Sequence, residues 1–150
     1  MRTFQTLGEL TALVGQDIAV SEWTTITQQQ VNLFAEATGD HQWIHVDPER
    51  AKAGPFGAPI AHGYLTLSLL PLFFASAVKV EQTRMGVNYG LNKVRFINPV
   101  PVGSRLRGHL KLLSSEPVAG DGVQQTWEVT VEIEGQAKPA CVAESLVRRF

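Results

Sequence analysis

The stretch TGDHQWIHVDPERAKAGPFGAPIAHG, residues 38–63, gathers the residue types that do acid–base work. Asp40, His41, His45, Asp47 and His62 fall within it, and three of the four histidines of the chain are here. Asp40 and His45 stand five residues apart. A carboxylate and an imidazole converging on one water form an acid–base pair: the aspartate orients and deprotonates it, and the histidine accepts or returns a proton near neutral pH. The plain alternative is that Asp40 hydrogen-bonds its own turn and His45 is a packed core histidine. Spacing by itself leaves both open.

His62-Gly63 opens the most apolar segment of the chain. A glycine amide at the first position of a buried helix has no intrahelical acceptor and lies at the positive end of the helix dipole. Such a donor suits a carbonyl oxygen that gains negative charge during a reaction. A glycine selected only for a tight loop fits the same position, and the residues assign His62 no role. Asp47 reads as a helix cap and His41 as an exposed side chain. A metal set drawn from Asp40, His41, His45 and His62 has one pair at i, i+4, His41 and His45, but Gln42 stands where the common zinc motif His-Glu-x-x-His has its glutamate. No glycine-rich phosphate loop, Gly-x-Ser-x-Gly elbow or cysteine nucleophile is present.

These groups need rigid supports on both sides. Gln5 to Val14 has leucines at helical spacing and stops at Gly15. Asp17 to Thr25 reads as a first strand. Thr27 and Gln30 form a capping-box pattern ahead of an apolar face of Val31, Leu33, Phe34 and Ala37, and Gly39 occupies the left-handed exit position. Asp40 therefore follows directly on a helix end. Asp47-Pro48-Glu49 marks a second helix start. Gly63 to Val80 predicts a long helix, apolar nearly all round and hence central, with Pro71 as its weak point.

Beyond it the period changes from 3.6 to 2. Leu106, Gly108, Leu110 and Leu112 alternate with Arg105, Arg107, His109 and Lys111; Trp127, Val129, Val131 and Ile133 alternate with Glu128, Thr130, Glu132 and Glu134. These are half-buried antiparallel strands whose basic and acidic outer faces suit cross-strand pairing. SSEPVAGDG turns between them; Val87 to Ile97 and Cys141 to Val147 add two more strands. The plan is α+β, helices on one face of an antiparallel sheet, in a single domain over residues 1–150.

Composition narrows the partners. Hydrophobic content of 44% and charged content of 18% are ordinary for a globular chain, and a net charge of -1 argues against a nucleic-acid partner. Cys141 is the only cysteine, which excludes an internal disulfide, fits a reducing cytoplasm, and reads as a core residue. Leu65 to Val80 falls short of the roughly 20 residues of a membrane span, and the first ten residues lack the apolar run of a secretory signal.

The run FAEATGDHQWIHVDPERAKAGPFGAPIAHGYLTLSLLP, with the later NYGLNKVRFINPVPVGSRLRG, resembles the hydratase motif of MaoC-like (R)-specific enoyl-CoA hydratases, in their short NodN-like branch. The resemblance covers nearly the whole chain. It implies a hotdog fold, an antiparallel β-sheet wrapped around one long central α-helix, working as a homodimer. It implies syn addition of water to a trans-2-enoyl-CoA to give the (R)-3-hydroxyacyl-CoA. By motif position Asp40 and His45 are the catalytic dyad and the Gly63 amide the oxyanion hole, with no metal and no cofactor beyond the CoA of the substrate. Many relatives carry Asn-Pro where this chain has Gln42-Trp43, which points to Trp43 as a shaper of the acyl pocket. Lys93, Arg95 and Arg84 are the cations considered for CoA phosphates. A hotdog thioesterase or dehydratase, and a non-catalytic acyl-thioester binding module, are the competing readings of the same fold.

Overall fold

The computed structural model describes all 150 residues. In chain order the elements are β1 (Arg2–Phe4), α1 (Leu7–Thr11), β2 (Asp17–Val20), β3 (Thr24–Thr25), α2 (Gln28–Thr38), α3 (Trp43–Val46), α4 (Pro48–Lys52), α5 (Gly63–Ser68), α6 (Leu70–Ala77), β4 (Val78–Val80), β5 (Gly86–Phe96), β6 (Arg105–Val118), β7 (Gly122–Ile133) and β8 (Cys141–Arg149). The main sheet runs β2-β6-β7-β8-β5 with β3 added on β6, and every pairing in it is antiparallel. A small parallel pair, β1 with β4, stands apart. The α+β plan is the one the periodicities give.

Strand alternation is realised as written. Leu106, Leu110, Leu112, Trp127, Val129 and Val131 are essentially sealed from solvent. On the other face Arg107 lies opposite Glu132 in register and binds it through Nε at 2.6 Å, Arg105 reaches Glu134 at 2.8 Å, and His109 also meets Glu132 at 2.6 Å. The β6–β7 ladder extends further than the hydrophobic alternation does, leaving only residues 119–121 to turn. The polar tips Ser114 to Pro117 and Val123 to Thr126 are held there by backbone pairing, which apolar periodicity does not register.

The central helix covers the apolar face. Phe73, Phe74 and Ala77 of α6 are buried, and the Phe74 ring meets Trp127 edge-on at 5.1 Å. Gly108 permits this closeness, because a Cβ there would lie 2.9 Å from the Cβ of Phe73. The expected single helix over residues 63–80 is instead two segments, and its last residues are the strand β4. Pro71 has no N–H to offer the preceding turn. The chain tightens there, with the Leu69 amide bonding Thr66 three residues back, and α6 starts afresh with proline in its first turn.

The N-terminal half follows its signals with shorter elements. The helix expected from Gln5 is the five-residue α1, capped by Thr6. The strand expected over Asp17 to Thr25 is divided into β2 and β3. Thr27 and Gln30 close the capping box of α2, and Gly39 ends it at φ 81°. A core of 25 buried residues joins all these parts.

Candidate active site

Asp40, His45 and His62 are delivered by three different elements. Asp40 follows the left-handed exit of α2 and is exposed. Its Oδ1 accepts from the Gln42 amide at 3.3 Å, which shapes the turn into α3. His45 lies on α3, a single helical turn that the sequence reading left unassigned, and is only 6% exposed. The side chain of Gln28, from the first turn of α2, donates to the His45 carbonyl at 2.8 Å and fixes this short turn to a longer helix. His62 sits immediately before α5 and is buried.

The His45 ring has a defined orientation. Its Nδ1 lies 2.6 Å from the carbonyl oxygen of Ile60. A carbonyl only accepts, so Nδ1 carries the proton and Nε2 keeps its lone pair. Ile60 is itself fixed, with its amide bonded to Ile44 and the neighbouring Ala61 amide bonded to Val100. Burial lowers the His45 pKa, since an imidazolium there loses hydration. The Ile60 bond opposes the shift, the neighbouring His62 adds to it, and Asp40 draws it back. The balance favours a neutral base.

His45 and Gly63 open on one cavity of about 270 Å³, whose wall includes Phe56, Ile60, Thr66 and Phe96. Gly63 is the first residue of α5, so its N–H has no intrahelical acceptor. The Phe96 ring packs directly on Gly63: a Cβ there would lie 2.8 Å from it. Glycine is thus required by a close approach, with no positive φ involved. Asp40, His45 and His62 each present a ligand-type atom within 4.8 Å of the other two. The structure therefore brings together Asp40 and His45, and places Gly63 on the His45 cavity.

Proximity suggests a metal set that the sequence spacing did not. The His45 and His62 rings, however, are stacked 3.9 Å apart with planes only 26° from parallel. Lone pairs lying in nearly parallel planes do not converge on one ion at a metal–nitrogen bond length of about 2.1 Å. The arrangement is a poor cation site.

Asp40 and His62 adjoin His45 but do not line the cavity, and the other candidates also fall outside it. His41 is half exposed and lies 3.7 Å from Glu36. Asp47 caps α4 by accepting from the Arg50 amide at 3.1 Å. Cys141 is fully buried in β8. Trp43 does not line the cavity: it packs on Gly54 and carries the Arg50 guanidinium 4.4 Å above its ring. No local pattern marks Phe56, Thr66 and Phe96 as cavity residues, because they reach it through long-range packing.

Comparison with known proteins identifies the family. The family model described as MaoC like domain matches residues 9–134. The chain belongs to the MaoC-like family. It is 58% identical to the 3-hydroxyacyl-thioester dehydratase Z of Mycobacterium tuberculosis (strain ATCC 25618 / H37Rv), over 99% of this chain and 98% of that one. Nodulation protein N of Rhizobium meliloti (strain 1021) is 48% identical over 91% of this chain and 86% of its own length. Among solved structures, the unliganded R-hydratase PhaJ1 from Pseudomonas aeruginosa superposes with a TM-score of 0.68 at 25% identity, covering 89% of this chain and 79% of that one. The fold of this MaoC-like chain is the hotdog arrangement, with its antiparallel sheet and central helical segments. No helix is long and apolar enough to cross a membrane.

Proposed function

We propose that this protein is an (R)-specific enoyl-CoA hydratase, adding water reversibly across a trans-2-enoyl-CoA to give the (R)-3-hydroxyacyl-CoA. One observation carries the reading. The Asp40 carboxylate lies within 4.8 Å of a His45 ring nitrogen, and His45 shares its cavity with the free-ended amide of Gly63. A relative named as a 3-hydroxyacyl-thioester dehydratase supports it, since dehydration is the same reaction run backwards.

The chemistry follows from the residues. Asp40 and His45 are close enough to hold one water between them. The unprotonated Nε2 of His45 and the carboxylate take one proton as the water oxygen bonds to C3. The π electrons of the alkene move onto the thioester carbonyl, whose oxygen becomes an enolate oxygen. The Gly63 N–H stabilises that charge, a contribution of about 3–4 kcal/mol for one such donor. The proton then returns to C2 on the same face. This route calls on no metal and no redox cofactor; CoA belongs to the substrate.

The reading includes a homodimer working in the cytoplasm. β5 is an edge strand exposed along nearly its whole length, and it presents Val87, Tyr89, Leu91 and Phe96. Tyr64 and Leu72 of the central helix are exposed as well. A long unpaired apolar edge is a surface that a second copy would cover.

The test is loss of the conjugated-enoyl absorbance when the protein meets crotonyl-CoA, followed by chiral analysis of the product. Rapid loss giving the (R)-3-hydroxy thioester is the expected result. Release of free CoA thiol without hydration would identify a thioesterase. Neither change, with crotonyl-CoA or a longer enoyl-CoA and a folded protein, would leave a binding module.

A further inference from the structure

His62 occupies the cap position of α5 yet makes no capping bond with its side chain. Its ring is turned away to another task. Nε2 lies 2.9 Å from the main-chain oxygen of Asp40, 22 residues back in the chain, so Nε2 holds the proton and donates. One face of the ring stacks on His45 with centroids 3.9 Å apart, and Phe34 tilts against it at 4.9 Å. Nδ1 is buried without a partner. A side chain placed only to fill space would be better without that unpaired nitrogen, because burying an unsatisfied polar atom is unfavourable.

We infer that His62 is a positioning residue for the hydration reaction: it anchors Asp40 by its carbonyl and His45 by its ring, fixing both to the start of the helix that carries the Gly63 amide. The inference rests on the hydratase reading. It gives the His62-Gly63 dipeptide two joined functions, the oxyanion donor and the clamp that sets the distance from that donor to the dyad.

The contact also affects protonation. The titratable groups facing His45 are Asp40 and His62. α2 meets it through the uncharged Gln28, and Arg50 of α4 lies over Trp43. Neighbouring His62 disfavours a proton on His45 and Asp40 favours one, so a variant that undoes the clamp alters the balance at His45.

Two variants separate positioning from mere support. His62→Phe retains the stacked ring and loses the donor; His62→Gln retains an Nε–H donor and loses the ring. The measurements are kcat and KM with crotonyl-CoA, thermal midpoint, and the His45 titration followed by NMR. Positioning predicts that His62→Phe loses on the order of 100-fold in kcat with KM little changed. It predicts that His62→Gln retains more kcat although its thermal midpoint is lower, and that the His45 midpoint moves in His62→Phe. Full activity in His62→Phe, activities ranked simply by thermal midpoint, or an unmoved His45 midpoint would overturn it. If the natural protein hydrates no enoyl-CoA, the hydratase reading fails on its own, and the NMR titration still decides whether His62 governs His45.

Discussion

The Nδ1 of His45 lies 2.6 Å from the carbonyl oxygen of Ile60, and this contact fixes which ring nitrogen is the base. With the proton held on Nδ1, Nε2 is the nitrogen left to accept a proton, the role the proposed hydration assigns to it. Burial disfavours the imidazolium, so the ring stays neutral to a lower pH than an ordinary histidine. Activity is therefore expected on the alkaline side of an acid limb whose midpoint lies below the usual histidine value, and to be lost as pH falls through it. The unfolded chain takes up the same proton at higher pH, so acidification through the histidine range also weakens the fold. A kcat/KM profile and a set of denaturation curves against pH check both signs.

Asp40→Asn and His45→Gln each remove one arm of the proposed dyad. Loss of a positioned acid–base group typically costs 10²–10⁴-fold, and each variant is expected to lose roughly this much kcat while remaining folded. Steady-state hydration of crotonyl-CoA, with circular dichroism as the folding control, measures it. Near-full activity in either variant would remove that residue from the dyad.

Gly63→Ala places a Cβ 2.8 Å from the Phe96 ring. Either the ring or the start of α5 must move. A displaced amide costs on the order of 10²-fold in kcat, the lower end for losing an oxyanion donor. Adding Phe96→Ala relieves the clash and is expected to restore part of the rate; no restoration would mean the amide's position does not depend on this contact.

Gln28 ties α2 to α3 through the His45 carbonyl. Gln28→Leu is expected to cost about 1 kcal/mol, the usual net value of one hydrogen bond, and to lower kcat more than KM. Urea denaturation midpoints and steady-state kinetics together separate the two effects.

Leu91→Lys places a charge on the exposed β5 edge, where Leu91 is 44% accessible. Sedimentation of the natural chain is expected to give a dimer and that of the variant a monomer. Identical masses would rule out this edge as the dimer contact.

Burial pushes the Cys141 thiol up to about 11. A thiol reagent at neutral pH is expected to leave it unmodified in the folded protein and to react only after unfolding.

The elements that were legible in the sequence are those with local causes. Thr27, Gln30 and Gly39 mark the ends of α2 through backbone groups that each satisfies, and the alternation in β6 and β7 follows from one face being buried. Asp40, His45 and Gly63 stand out through a motif and their neighbourhood. What escaped was set by distant partners. The turn α3 has too few residues for a period and is held by Gln28, while β4 forms because β1 lies beside it. The break near Leu69 was foreshadowed by Pro71, but its exact form depends on how α6 packs over Gly108. The cavity wall of Phe56, Thr66 and Phe96 exists only once the sheet has closed.

The pairing of β5 with β8 joins Phe96 to Cys141 and Gly86 to Arg149 across long intervening segments. The β6–β7 hairpin, by contrast, closes over a turn of only a few residues. Loop-closure entropy makes the hairpin an early event and the β5 strap a late one during folding. Phe96, which seals Gly63, is therefore expected to arrive with the last strand, after the hairpin and before the cavity is complete. Gain of activity during refolding should lag behind the burial of Trp127, making the reaction itself a clock for the final step.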